Sequence, residues 1–185
     1  MSKGKLFVIS GASGVGKSTV LKRVMDARPE LRFSVSATTR APRPGEVDGE
    51  SYYFVTKEQF ETMIAQNEFL EYDAHMDNYY GTPVAQMEEK LALGSVILDI
   101  DPNGAFMVQK ARPDVILIFI APPSVEELRR RLTSRGDTSA DQIALRIARA
   151  DWEMEQSAKY DYVIVNDQVE TCADKILKII AEKAD

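Results

Sequence analysis

Two stretches of this sequence combine residue types that handle phosphate. In GASGVGKST, Gly11, Gly16, Lys17 and Ser18 have G-x-x-x-x-G-K-[ST] spacing, directly after the apolar run LFVI and directly before an amphipathic stretch. That context is what the motif requires. Glycines let the backbone turn so that several N–H groups face one anion, and a helix N-terminus adds positive potential. Lys17 is then placed to neutralise β- and γ-phosphate charge, and the Ser18 hydroxyl to ligate Mg²⁺. The second stretch, TTRAPRPGEVDGESYYF over residues 38–54, sets Arg40 and Arg43 among prolines and glycines just ahead of a tyrosine pair. Pro42 and Pro44 fix the backbone beside two guanidinium groups and remove competing helix. The result has the form of an anion clamp, built into a chain whose formal net charge is −6.

Carboxylates and further arginines follow. VILDID ends a buried apolar run in Asp99 and Asp101, and ligands collect at the C-terminal edge of a parallel sheet. Either carboxylate could orient Mg²⁺ through water; capping of a helix is the structural alternative for Asp101. Arg131 and Arg135 lie four apart near the end of a helix expected to begin at Ser124, so they share a face. Arg146 belongs to the next helix, across SRGDTS. Moving a phosphoryl group onto another phosphate brings two anions together, and several cations must converge. Arg129, Arg130 and Arg149 read instead as members of solvated faces.

The elements that must position these residues alternate short apolar runs with amphipathic stretches, the pattern of βα units feeding a parallel sheet with helices on both faces. LFVI (6–9), VILDI (96–100), VILIFI (115–120) and YVIV (162–165) read as buried strands. Residues 17–27 should form the first helix and 170–183 the last, with Ile176, Leu177, Ile179 and Ile180 inward. Ser124 with Glu127 and Ser139 with Gln142 have capping-box spacing, and Thr82 before Pro83 suggests an N-cap and a first-turn proline, so helices are expected from near 83, 124 and 140. Residues 34–80 break the rhythm, with short strands in SVSATT, SYYFV and FLEYDAHM around one helix at 57–66, and read as an inserted substrate subdomain. The polar piece SRGDTSADQ (134–142) has the composition of a mobile lid.

Composition narrows the class. With 185 residues, 44 % hydrophobic and 28 % charged, the chain has the makings of one sizeable globular core. Its acidic balance argues against bulk nucleic-acid binding, which relies on a basic domain or stripe. The single cysteine, Cys172, allows no intramolecular disulfide and reads as core packing. The apolar run near the N-terminus is too short for a signal peptide or a membrane span, which sets the expectation of a cytoplasmic protein with no membrane partner.

Taken together, FVISGASGVGKST, SVSATTRAPRPGEVDGESYYFV, FLEYDAHMDNYYGTPV, ILDIDPNGA, FIAPPS, RLTSRG and YVIVND resemble the guanylate kinases over essentially the whole chain. The resemblance implies an α/β fold: a P-loop nucleotide kinase core with a parallel sheet flanked by helices, an inserted mixed α+β GMP-binding subdomain and a helical lid. It implies core residues 1–33 and 83–185, a subdomain at 34–82 and a lid region at 126–150. The implied reaction is ATP + GMP ⇌ ADP + GDP with Mg²⁺. ATP would be held by Gly11, Ala12, Ser13, Gly14, Val15, Gly16, Lys17, Ser18, Thr19 and Asn166. Arg40, Arg43, Tyr52 and Tyr80 would clamp the GMP phosphate, with Ser36, Glu71, Thr82 and Asp99 at the base. Lys17, Arg131, Arg135 and Arg146 would act on the transferring group, and Ser18, with Asp101 through water, would hold Mg²⁺. One departure is DIDPNGA, where Asn103 stands in place of the family's usual glutamine.

The chemistry of guanine agrees with Glu71. N1–H and the 2-amino group are adjacent donors that one carboxylate can accept together, whereas adenine offers neither. The alternatives are a guanylate-kinase-like protein-binding module, which would be expected to have lost part of its cradle or lid, and a kinase of another nucleoside monophosphate. For Asn166, followed by Asp167, a turn or N-cap role is equally open. His75, the sole histidine, and Trp152 read as surface or packing residues, and the scattered methionines need no ligand.

Overall fold

The computed structural model describes residues 4–75, 77–133 and 140–184. The fold is α/β, with parallel strands flanked by helices and a separate mixed sheet. Two compact units are present: the described residues of Phe7–Pro29, Asp99–Pro102 and Ile116–Asp185 form one, and those of Met1–Leu6, Glu30–Leu98 and Asn103–Val115 the other. Among the described residues no helix is long and apolar enough to cross a membrane.

In the first unit, strands β1 (Leu6–Gly11), β8 (Ile116–Ala121) and β9 (Tyr162–Val165) run parallel, with Phe7 opposite Ile116, Gly11 opposite Ile120, Ile118 opposite Tyr162 and Ala121 opposite Val165. β1 is buried at every position, as the unbroken apolar run LFVI demands of a strand covered on both faces. Helix α1 (Lys17–Ala27) buries Val20, Leu21 and Val24, and α7 (Val169–Ala184) buries Cys172, Ala173, Ile176, Ile179 and Ile180. The latter set recurs at helical spacing, so one apolar stripe faces the core. Burial also pushes the Cys172 thiol up to about 11, which fits packing rather than reactivity. α5 (Val125–Thr133) and α6 (Ala140–Gln156) also belong to this unit.

The second unit pairs β2 (Arg32–Phe33) in parallel with β7 (Val96–Asp99), and carries α3 (Val84–Leu93) and α4 (Pro102–Ala111). Its separate sheet has the order β4-β3-β6-β5, from β3 (Ala37–Thr38), β4 (Tyr53–Phe54), β5 (Phe69–His75) and β6 (Asn78–Pro83). Helix α2 (Lys57–Ala65) is fixed by a capping box in which Thr56 and Gln59 each serve the other's backbone N–H. Its one fully buried side chain, Phe60, stacks on Phe69 at 4.3 Å and Tyr79 at 5.2 Å between ring centroids. A phenylalanine buried this way contributes about 1.5–3 kcal/mol.

Several local expectations change. Thr82 does not cap a helix: it and Pro83 end β6, and α3 starts at Val84 with Pro83 as its N-cap residue. The Thr82 hydroxyl is engaged elsewhere, as described below. β2 and α4 were not foreseen; two residues are too few to show a period, while Pro102 at the first turn of α4 was a readable start signal. Ser124 caps α5 by accepting the Glu127 N–H at 3.1 Å, but the Glu127 carboxylate turns to arginines instead of closing a box. Ser139 lies outside the described residues.

Gly81 shows how tightly β6 is set. A Cβ there would lie 2.9 Å from a Phe69 ring carbon, 3.0 Å from the Glu71 carbonyl oxygen and 3.0 Å from the Tyr72 Cβ. Since backbone atoms cannot swing aside, Gly81→Ala is expected to destabilise the fold by about 1–3 kcal/mol in urea unfolding. An unchanged midpoint would show that the strands part without cost.

Candidate functional site

The glycine-rich loop sits where β1 ends and α1 begins. Gly14 and Gly16 have φ of 86° and 89°, the left-handed region that glycine enters without penalty. A Cβ on Gly11 would come within 2.9 Å of the Ile120 carbonyl oxygen, so the loop leaves the strand only with a glycine there. Val15 N–H donates to the Ala12 carbonyl at 2.9 Å, which closes the turn, and Gly16 leads into the first turn of α1. Lys17 and Ser18 therefore stand at the helix N-terminus, where backbone dipoles favour an anion. Lys17 Nζ is ion-paired with the Asp99 carboxylate.

Two distant residues meet this loop. Asn166, only 3 % exposed, donates from Nδ2 to the Val15 carbonyl at 2.8 Å, and its buried Oδ1 has no hydrogen-bond partner among the described residues. Arg131 reaches the same carbonyl from Nη1 at 3.4 Å while its Nε donates to Glu127 at 2.8 Å. Arg130 first, and then Arg131, hold the Glu127 carboxyl down at about 2. Gly14, Val15, Gly16, Thr19, Arg131 and Asn166 are among the residues that line a cavity of about 330 Å³. Arg146 is half-buried on α6, and Arg135 falls outside the described residues.

Sequence reasoning missed what Arg149 and Glu153 do. Arg149 is no solvated-face residue: its Nη2 donates to Asp101 at 2.7 Å and its Nε to Glu153 at 3.1 Å. Glu153 in turn accepts the Ser13 N–H at 2.7 Å. The four-residue spacing of Arg149 and Glu153 was visible as a helical ion pair. Nothing in the sequence marked Glu153 as buried.

In the other unit, Arg40, Tyr52 and Tyr80 come together. The Arg40 guanidinium lies 5.4 Å from the Tyr52 ring centroid and 5.9 Å from that of Phe54, and Tyr52 meets Tyr80 edge-on at 6.1 Å. Arg40 Nη1 donates to the Ala41 carbonyl at 2.7 Å and Nη2 to Glu46 Oε1 at 2.8 Å. The other oxygen of Glu46 accepts the Arg43 N–H at 2.6 Å, so one carboxylate ties the Arg40 side chain to the Arg43 backbone. Its bond to Arg40 holds Glu46 below the usual carboxylate range. The Arg43 side chain is exposed. Glu46 was not singled out from the sequence, although its acidic type amid the arginines was the available signal.

Glu71 and Thr82 face each other across the β5–β6 ladder, and Asp73 faces Tyr80. Thr82 Oγ1 donates to Glu71 Oε1 at 2.6 Å. Both side chains are buried, Glu71 to 5 % exposure. Because alternate strand residues share a face, Tyr80 and Thr82 project on one side of β6. Ser36 is half-buried, with its carbonyl accepting the Tyr53 N–H at 2.9 Å. Asn103 Nδ2 lies 3.5 Å from Asp73 Oδ2.

The family model described as guanylate kinase matches residues 3–183. The chain belongs to the guanylate kinase family. It is 45 % identical over 182 residues to a guanylate kinase of Synechocystis sp., covering 98 % of this chain and 95 % of that protein. It is 46 % identical over 179 residues to one from Lactococcus lactis, with coverage of 96 % and 87 %. A crystal structure of guanylate kinase from Anaplasma phagocytophilum matches with a TM-score of 0.81 at 36 % identity, over 99 % of this chain and 87 % of that one.

Within this guanylate kinase family member, the contact between Thr82 and Glu71 makes its own test possible. Removing the hydroxyl with little change of volume, as in Thr82→Val, takes a short bond from a buried carboxylate. Stability in urea should fall by about 1.5–3 kcal/mol, as for a hydrogen bond to a charged group. A neutral result would mean that Glu71 is satisfied without Thr82.

Proposed function

We propose that the chain transfers the γ-phosphoryl group of ATP to GMP, yielding ADP and GDP, in the cytoplasm. The observation that carries the reading is that one chain holds two cation-bearing clusters of different design, each suited to an anion. One is a glycine-rich loop with Lys17 at a helix N-terminus. The other is an arginine–tyrosine cluster in the same unit as the buried Glu71.

In this reading residues 34–82 form the GMP-binding subdomain, residues 126–150 the lid, and the remainder the core. Gly11, Ala12, Ser13, Gly14, Val15, Gly16, Lys17, Ser18 and Thr19 hold the ATP phosphates. Asn166 meets the adenine, its buried Oδ1 supplying an acceptor. Arg40, Arg43, Tyr52 and Tyr80 bind the GMP phosphate through guanidinium forks and hydroxyls. Glu71 accepts from N1–H and the 2-amino group of guanine, with Ser36, Thr82 and Asp99 at the remaining edge. AMP would leave Glu71 facing a lone pair, so the site rejects it.

A GMP phosphate oxygen forms the new bond to the γ-phosphorus as the bond to the bridging oxygen breaks, and that electron pair leaves with ADP. The acceptor oxygen is already ionised near neutral pH, so no general base is required. Lys17, Arg131, Arg135 and Arg146 stabilise charge spread over the transferring group and exclude water. The exposed Ser18, with Asp101 two residues beyond β7, offers the hard oxygen donors that suit Mg²⁺ retaining most of its water. Ser18 would ligate it directly and Asp101 through water. Bound there, Mg²⁺ supplies charge neutralisation at the phosphate oxygens.

A coupled assay of ADP release with ATP, Mg²⁺ and each of GMP, AMP, CMP and UMP should show strong turnover with GMP alone. No turnover from a folded sample that still binds GMP would instead identify a binding module. Lys17→Ala should lower kcat by orders of magnitude, whereas Arg40→Ala should chiefly raise KM for GMP; the reverse pattern would mean that the two phosphate sites are exchanged. Glu71→Gln should erode the preference for GMP over AMP, and an unchanged preference would remove Glu71 from base selection.

A further inference from the structure

One turn of α6 touches both halves of the phosphate-handling machinery in its unit. Glu153 Oε2 accepts the Ser13 N–H at 2.7 Å, and Glu153 Oε1 accepts from Arg149 Nε at 3.1 Å. Arg149 Nη2 then donates to Asp101 Oδ2 at 2.7 Å. Ser13 belongs to the cradle, and Asp101 stands just beyond β7. We propose that Glu153 and Arg149 are positioning residues for phosphoryl transfer, an ion-pair relay, buried at Glu153 and half-exposed at Arg149 and Asp101, that fixes the ATP loop and the Asp101 carboxylate to a single helix.

The physical case starts from the cost of burial. Glu153 is 5 % exposed, and an ionised carboxylate there is tolerated only with partners of good geometry. Desolvation pushes its pKa up, while the Ser13 N–H, Arg149 and Lys17 pull it down. The partner it takes from the loop is a backbone N–H, which a charged acceptor binds about twice as strongly as a neutral one. Asn166 and Arg131 already hold the loop at the Val15 carbonyl, beyond the left-handed Gly14, and the Ser13 N–H bond adds an anchor on the near side of that glycine. Arg149 removes the second difficulty. Asp101 and Glu153 are two carboxylates served by one residue, and the planar guanidinium bonds Glu153 from Nε and Asp101 from Nη2. Lys17 is thereby left to Asp99.

The relay deepens the proposed reaction and rests on reading residues 11–19 as the ATP site. Small misplacements of a phosphate-positioning loop are costly, so binding and rate should both respond, and on the ATP side alone. Glu153→Gln keeps one acceptor but turns an amide N–H₂ group toward Arg149, breaking the relay in its middle. ATP affinity measured by calorimetry, with ATP as the sole nucleotide, should fall about ten-fold with GMP affinity unchanged, and kcat should fall by about ten- to a hundred-fold. Arg149→Met should do the same from the Asp101 side. Because both variants cut one relay, the Glu153→Gln/Arg149→Met double variant should lose no more than about either single variant. Arg149→Lys, with no fork, should recover only part of the loss.

A spectroscopic readout is built in. Trp152, the one tryptophan of the chain, has the Arg149 guanidinium 5.9 Å from its ring centroid, so Glu153→Gln should shift its emission in the folded protein. Additive losses, equal losses for ATP and GMP, or native ATP affinity in both single variants would overturn the relay. Failure of the native chain to bind ATP would overturn the reading of the cradle itself.

Discussion

Lys17, Arg131, Arg149 and Arg40 are each held by a carboxylate of their own compact unit. Lys17 pairs with Asp99, Arg131 with Glu127, Arg149 with Asp101 and Glu153, and Arg40 with Glu46. This is how a chain of net charge −6 can present locally positive sites. A lone guanidinium on a flexible stem samples many rotamers, and a carboxylate partner reduces them to one. Partly exposed pairs of this kind contribute only about 0–1 kcal/mol, so they fix direction without holding the cation beyond reach of a phosphate dianion. Preorganisation, more than raw stability, is what the pairing supplies.

The mixed sheet applies the same logic to a buried carboxylate. Glu71 lies inside, where an ionised group needs hydrogen bonds, and the β5–β6 register places the Thr82 hydroxyl against it. Strand alternation then sets Tyr80 and Thr82 on one face, with Gly81 clearing the space between the strands. Tyr80 and Thr82 therefore share one short strand with Gly81 between them. A register slip of one residue would send both to the opposite face.

Much of this was legible from the sequence. The strand–loop–helix order around the cradle, the arginines of residues 40–43, the long apolar strands and the inward face of α7 all follow from local rules. The errors were also local in kind. Thr82 was assigned to a helix cap by its place before Pro83, but a buried carboxylate two strand positions from Phe69 claimed its hydroxyl. Arg149 was assigned to solvent by its helical surroundings, though it bonds Asp101, which is 48 residues away.

What the sequence determined by itself is whatever depends on near neighbours: glycines that permit left-handed torsions, prolines that stiffen a clamp, and periodicities that separate strands from helices. Tertiary structure alone decided the partners across long separations. Ser13 meets Glu153 over 140 residues and Val15 meets Asn166 over 151. The reason is physical. A torsional preference belongs to a residue, whereas the burial of Glu153 and the acceptor offered to Asn166 exist only after strands and helices have packed, when water is gone and each polar group must take the partner that the packing supplies.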